Sequence, residues 1–136
     1  MKKILFTLVP ALALVLVLSS CSKDDATTPA NTTPEGTWAG TGQYGTTPGN
    51  PTYAFTITFK ANGTVDITGN NSTAVDVATG TWQLVADSVR AAYRYVGSSA
   101  DYTLSGKFTS GATVMAGTIG LGTATTGVGI FSVTRQ

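Results

Sequence analysis

Apolar and polar residues alternate along Tyr53-Ala54-Phe55-Thr56-Ile57-Thr58-Phe59-Lys60. The alternation puts Tyr53, Phe55, Ile57 and Phe59 on one side of an extended chain and the Thr and Lys positions on the other. A period of two marks a strand buried on one face. Asn62-Gly63 follows, a pair that accepts the positive φ of a tight hairpin. The chain then returns through Thr64 to Gly69 with Val65 and Ile67 inward and Asp66 outward. The same reading groups Trp38, Gly40, Gly42 and Tyr44 on an opening strand. It predicts one or two strands over Thr73 to Ala86 around Gly80, with Trp82 and Leu84 inward, and a turn at Asp87-Ser88. Val89, Ala91, Tyr93 and Tyr95 face in while Arg90 and Arg94 face out, and Gly97-Ser98-Ser99 turns. Tyr102, Leu104, Gly106 and Phe108 alternate with Thr103, Ser105 and Lys107. Thr113 to Ile119 is a weaker strand of undetermined phase, and Gly127 to Arg135 closes the chain with Phe131 and Val133 inward. About eight short antiparallel strands with turn punctuation, and no helix-length pattern beyond Cys21, predict an all-β fold. A closed barrel and a β-sandwich both satisfy that pattern.

The front of the chain follows a different rule. Lys2 and Lys3 precede an apolar run from Ile4 to Leu18, broken only by Thr7 and Pro10. The run falls short of the roughly 20 apolar residues that span a bilayer comfortably. With positive charge before it and small residues after it, residues 1–20 read as a cleaved secretory signal. Its last residues, Leu18-Ser19-Ser20-Cys21, resemble the bacterial lipobox. The resemblance implies cleavage between Ser20 and Cys21, with lipid on the Cys21 sulfur and a palmitate-type acyl chain on its amine. Several acyl chains hold a protein to a membrane where one would not. Ser22-Lys23-Asp24-Asp25 resembles the export signal of Bacteroidota-type lipoproteins, which implies an outer-membrane anchor and display at the cell surface. Ala26 to Glu35 is Thr, Pro, Ala and Asn, too polar to offset its own ordering entropy, and Pro29 and Pro34 keep it extended. The predicted organisation is therefore a signal over residues 1–20, a lipidated cysteine and flexible tether over 21–35, and a β domain over 36–136.

Removing the signal changes the charge and the hydropathy. Lys23, Lys60, Lys107, Arg90, Arg94 and Arg135 remain against the chain's 7 acids, where the whole chain carries a formal charge of +1. A near-neutral domain offers nothing to nucleic acid. The remaining stretch of about 100 residues is one domain's worth, large enough to fold without disulfides, and its Thr, Gly, Val and aromatic content suits sheet.

Gly36-Thr37-Trp38 on the opening strand and Arg135 on the last are similar to the lipocalin-like, or calycin, arrangement. That resemblance implies a small antiparallel up-and-down β-barrel of about eight strands, a lipocalin-like fold with a β-sandwich as the alternative. It also implies that Trp38 plugs one end and that Arg135 packs across its ring in a cation–π contact. Such a contact needs the first and last strands to be neighbours, which is what barrel closure means. Gly80-Thr81-Trp82 repeats the Gly-x-Trp element, as in avidin-like proteins.

The chemistry legible in the sequence is sparse. The chain has no histidine and one cysteine, which removes imidazole bases, His metal ligands and Ser-His or Cys-His nucleophilic arrangements. Asp66, Asp76, Asp87 and Asp101 read as scattered over turns and outward positions, not as a converging acid pair. Gly117-Thr118-Ile119-Gly120-Leu121-Gly122 and Gly127-Val128-Gly129 lack the following helix that a phosphate loop requires. Asn70, Asn71, Ser72 and Asp76 offer oxygens but not the spacing of an EF-hand, and Arg90 and Arg94 read as a solvated face. No enzyme, metal site or cofactor is expected. What remains is the aromatic interior: Tyr44, Tyr53, Phe55, Trp82, Tyr93, Tyr95, Tyr102 and Phe108 form the candidate ligand cavity, although a filled core would use the same residues. The leading expectation is a surface lipoprotein binding a small apolar or amphipathic ligand. The alternative is a structural or adhesive subunit of a cell-surface complex acting through protein contact. The expected partners are the membrane and a small hydrophobic ligand; the oligomeric state is left open.

Overall fold

In the computed structural model, residues 31–70 and 74–136 are described. The signal, the cleavage pair Ser20 and Cys21, and the cluster Ser22, Lys23, Asp24 and Asp25 lie outside the described residues, as do Asn71 and Ser72.

Eight antiparallel strands close into one barrel, each hydrogen-bonded to its neighbours in sequence and the last to the first. They are β1 (Gly36–Tyr44), β2 (Thr52–Phe59), β3 (Thr64–Asn70), β4 (Val75–Val85), β5 (Ser88–Tyr95), β6 (Tyr102–Lys107), β7 (Val114–Leu121) and β8 (Gly127–Arg135). Closure runs from Trp38 opposite Arg135 to Tyr44 opposite Gly129. The fold is thus the up-and-down, lipocalin-like barrel and not a pair of stacked sheets.

The period-two pattern causes this closure. Phe55, Ile57, Phe59, Val65, Ile67, Val89, Leu104, Met115, Ile119, Phe131 and Val133 are all buried inside the ring. Burying a large apolar side chain is worth about 1.5–3 kcal/mol, and a closed sheet buries one face of every strand with no edge left over. The outer face carries most of the charges, among them the pairs Lys60–Asp66 at 2.6 Å, Arg94–Asp101 at 2.6 Å and Lys107–Asp87 at 3.2 Å across neighbouring strands and turns. These pairs are exposed and contribute little to stability.

Several local expectations change. β4 runs unbroken through Gly80 instead of splitting there. Leu84, expected inside, is 38% exposed. The cause is register: the β3–β4 ladder ends at Thr81, Trp82 still donates its amide to Gly63 O at 2.8 Å, and beyond it Gln83 to Val85 pair with β5 alone. In the Asn62-Gly63 hairpin only Gly63 takes positive φ, at 79°; Asn62 instead accepts the Thr64 amide at 3.0 Å through its side-chain oxygen. The β4–β5 turn falls at Ala86-Asp87, one residue early, with Ala86 at φ 55°. The phase of β7 is set by Met115 and Ile119, both buried.

The two ends of the barrel differ. At one end Trp38 is fully buried and forms the plug. Its ring meets Phe108 edge-on at 6.2 Å, and the Arg135 guanidinium carbon lies 4.6 Å from its centroid. Arg135 also donates to the carbonyls of Glu35 at 2.5 Å and Thr33 at 2.6 Å, and the Trp38 indole donates to Pro34 O at 2.7 Å. Gly36, at φ 115°, leaves Arg135 the room to do so, since a Cβ there would sit 3.1 Å from the guanidinium. Residues 31–35, read from sequence as the end of a free tether, are therefore docked across the plugged end. The Gly111 amide, donating to Asn31 O at 2.8 Å, adds to this. Their carbonyls supply acceptors that the buried indole and guanidinium need.

Candidate functional site

The opposite end is open. β1, β3, β5 and β7 finish there and β2, β4, β6 and β8 begin there, so the inward side chains at those strand ends stand around a mouth. The mouth opens into a cup of about 460 Å³ lined by Tyr44, Tyr53, Gly69, Asp76, Tyr93, Tyr95, Val96, Gly97, Ser98, Tyr102, Ile119 and Val128. That volume lies within the usual range of small-ligand sites, about 300–1,000 Å³. All 5 tyrosines of the chain line it.

Each tyrosine is placed by its strand. Tyr44 ends β1 and Tyr53 sits at the head of β2, and their rings meet at 4.6 Å. Tyr53 lies across Gly42, where an added Cβ would collide with its ring. A glycine is needed there because the ring approaches the backbone too closely for any side chain. On the facing wall Tyr93 and Tyr95 end β5 and Tyr102 begins β6. Tyr93 and Tyr102 are near-parallel at 5.7 Å, and Tyr95 stands edge-on to both, at 5.6 and 5.4 Å. Such mutual packing favours the aromatic quadrupoles and makes the wall stiff. Gly69 on β3 lies between the two walls, with an added Cβ reaching Tyr53 at 3.6 Å and the Tyr95 hydroxyl at 3.7 Å. Ile119 and Val128 supply the apolar side.

The electrostatics are those of neutral phenols beside one acid. Burial pushes the Tyr95 phenol up to about 12. Burial, with the neighbouring Tyr95 phenol adding to it, holds Tyr53 and Tyr93 still further above the ordinary phenol range. Near neutral pH the cup therefore presents hydroxyls that donate and accept, and no phenolate. Tyr93 is 3% exposed, and its hydroxyl has no hydrogen-bond partner among the described residues. The neighbouring Tyr95 phenol adds to the upward shift of Tyr93.

Asp76 was read from sequence as an outward or turn acid. It stands instead on the inward face of β4, in phase with the buried Ala78 and opposite Gly69, and its carboxylate lines the mouth. The signal was present: counting back by twos from Trp82 reaches it, once β4 is taken as one strand. Gly69, Val96, Ser98, Ile119 and Val128 also went unrecognised as lining residues. Of the expected cavity residues, Tyr44, Tyr53, Tyr93, Tyr95 and Tyr102 converge. Phe55 lies beneath the cup, fully buried and edge-on to Tyr53 at 5.8 Å. Phe108 and Trp82 do not line it. Phe108 packs on the Trp38 plug, and Trp82 packs on Phe59 at 5.3 Å and donates to Lys60 O at 2.9 Å, at the plugged end. Arg90 and Arg94 stay outside, Arg94 held by Asp101. No group of three His, Cys, Asp or Glu that could hold a metal occurs among the described residues.

Fold and site together define a small closed β-barrel, plugged at one end and open at the other as a tyrosine-lined cup. Comparison with protein-family models, curated proteins and solved structures found no match for the chain.

Proposed function

We propose that this protein is a lipid-anchored surface protein that works by binding a small apolar or amphipathic molecule in the tyrosine cup, without catalysing a reaction. The observation that carries the reading is the convergence of five phenol rings and hydroxyls, one hydroxyl buried and unpartnered, around a concave site in an otherwise filled barrel. An apolar cup with a few convergent polar groups is the usual form of a small-ligand site. The ends of the barrel fit the anchoring reading. The chain enters across the plugged end through residues 31–35, so an anchor at Cys21 joins the barrel at the end opposite the cup and leaves the mouth unobstructed by residues 31–35.

Titration of the protein with fatty acids, haem-like compounds and short glycans, followed by tyrosine emission and calorimetry, tests the binding reading. Saturable binding of one class supports it, and silence across the panel counts against it. Protease added to intact cells tests the anchoring reading separately: release of the barrel supports surface display, while protection behind an intact outer membrane overturns it.

A further inference from the structure

The cup is not electrically neutral, and its asymmetry has a direction. Its lining includes five aromatic rings and the Asp76 carboxylate, and neither Lys nor Arg. Asp76 makes no ion pair with any described residue; the acids with cationic partners, Asp66, Asp87 and Asp101, all pair on the outer surface. The rings carry negative charge on their faces, so any ring face turned to the cup has the same sign as Asp76, the one full charge among the described lining residues. Burial raises the phenols of Tyr53, Tyr93 and Tyr95 further above neutral pH, so these three remain uncharged. These rings act as neutral rings, and the Tyr93 hydroxyl, without a partner among the described residues, can meet a ligand's polar end.

We propose that the cup selects organic cations: a compact alkylammonium or quaternary ammonium group seated over the tyrosine rings at the mouth and drawn by Asp76, with its apolar part against Ile119 and Val128. Rings around a desolvated ammonium are a known physical solution for recognising such groups. A carboxylate beside them adds a charge interaction that strengthens as water leaves the cup. An anionic ligand meets the opposite field, with no cation in the lining to offset it. This deepens the ligand-binding reading and rests on it.

The test uses three probes of one shape and different charge, titrated into the full-length protein by calorimetry: choline, its uncharged carbon isostere dimethylbutanol, and the anionic dimethylbutanoate. Choline should bind at least about tenfold more tightly than dimethylbutanol, as expected for a partly desolvated cation–π site, and dimethylbutanoate should not bind. Asp76→Asn should weaken choline and leave dimethylbutanol unchanged, so that the preference shrinks to the part the rings supply. Asp76 is exposed at the mouth, so the variant is expected to fold, and an unchanged thermal transition verifies that. Equal binding of choline and dimethylbutanol, or a choline affinity unchanged by Asp76→Asn, overturns the cation proposal and leaves the cup as a binding site. If no probe binds, the cation proposal is overturned; the cup reading then stands or falls on the fatty-acid, haem-like and glycan titration.

Discussion

Trp38 and Arg135, the third residue of the first strand and the last residue of the final one, are cross-strand partners, with the guanidinium carbon 4.6 Å from the indole ring centroid. The pair joins the two ends of the barrel sequence and fastens residues 31–35 over the plug. Trp38→Ala should cost about 3–5 kcal/mol, as a large-to-small change at a fully buried site. Arg135→Lys keeps the charge but cannot reach two carbonyls and cover the ring together, and should cost about 2 kcal/mol. Urea unfolding of the variants measures both. A change within about 0.5 kcal/mol for Trp38→Ala, the usual range of an inconsequential surface substitution, would contradict the plug.

Tyr93 predicts an opposite effect on stability and on binding. Its buried hydroxyl has no partner among the described residues, and leaving such a group unsatisfied costs about 1–3 kcal/mol. Tyr93→Phe should therefore leave the free protein as stable or about 1 kcal/mol more stable, while weakening any ligand whose polar atom meets that hydroxyl. Thermal melts with and without ligand separate the two effects. A destabilised free protein would show that the hydroxyl already has a partner.

Alkaline titration reads the cup directly, because every tyrosine lines it. Well below about pH 10 the phenols of the unfolded chain are neutral, as are those of Tyr53, Tyr93 and Tyr95 in the fold. Above that, the unfolded chain ionises while Tyr53, Tyr93 and Tyr95 hold their protons in the fold. The unfolded state then binds fewer protons, and stability falls as pH rises from the ordinary phenol value towards the Tyr95 value of about 12. The tyrosinate absorbance of Tyr53, Tyr93 and Tyr95 should appear late, coinciding with unfolding. A single wave at the ordinary phenol value with the fold intact would mean that these rings are solvated.

Gly69 offers a way to close the cup without touching a tyrosine. An added Cβ meets only ordinary contacts, at 3.6 Å or more, so the backbone accepts a side chain. Gly69→Leu should project between Tyr53 and Tyr95, cost at most about 1–3 kcal/mol by overpacking, and abolish binding. Retained affinity in a folded Gly69→Leu protein would place the ligand elsewhere.

The contrast between Tyr95 and Phe108 shows what the sequence can and cannot convey. Period-two alternation assigns a side chain to a face, and it placed both residues inside. It does not assign height along the barrel axis, which depends on how each strand is registered against its neighbours. That register puts Tyr95 at the mouth and Phe108 under the plug. Trp82 fails as a cavity residue for the same reason. The Trp38–Arg135 contact was easier to anticipate, since both residues stand at chain positions that closure must bring together. Asp76 was obscured because Gly80 looked like a strand break, and Gly69 because a residue without a side chain leaves no mark in a pattern of side chains.

The central claim is that ligand enters the tyrosine end and not the plugged end, and the protein contains its own control, because both tryptophans lie away from the cup. Two-dimensional NMR of the labelled protein during titration with a saturating ligand tests this most directly. Resonances of Tyr44, Tyr53, Gly69, Asp76, Tyr93, Tyr95 and Tyr102 should shift together along one binding isotherm, while the indole signals of Trp38 and Trp82 stay fixed. Shifts centred on the indoles or on the outer strand faces, with the tyrosines unmoved, would contradict the account.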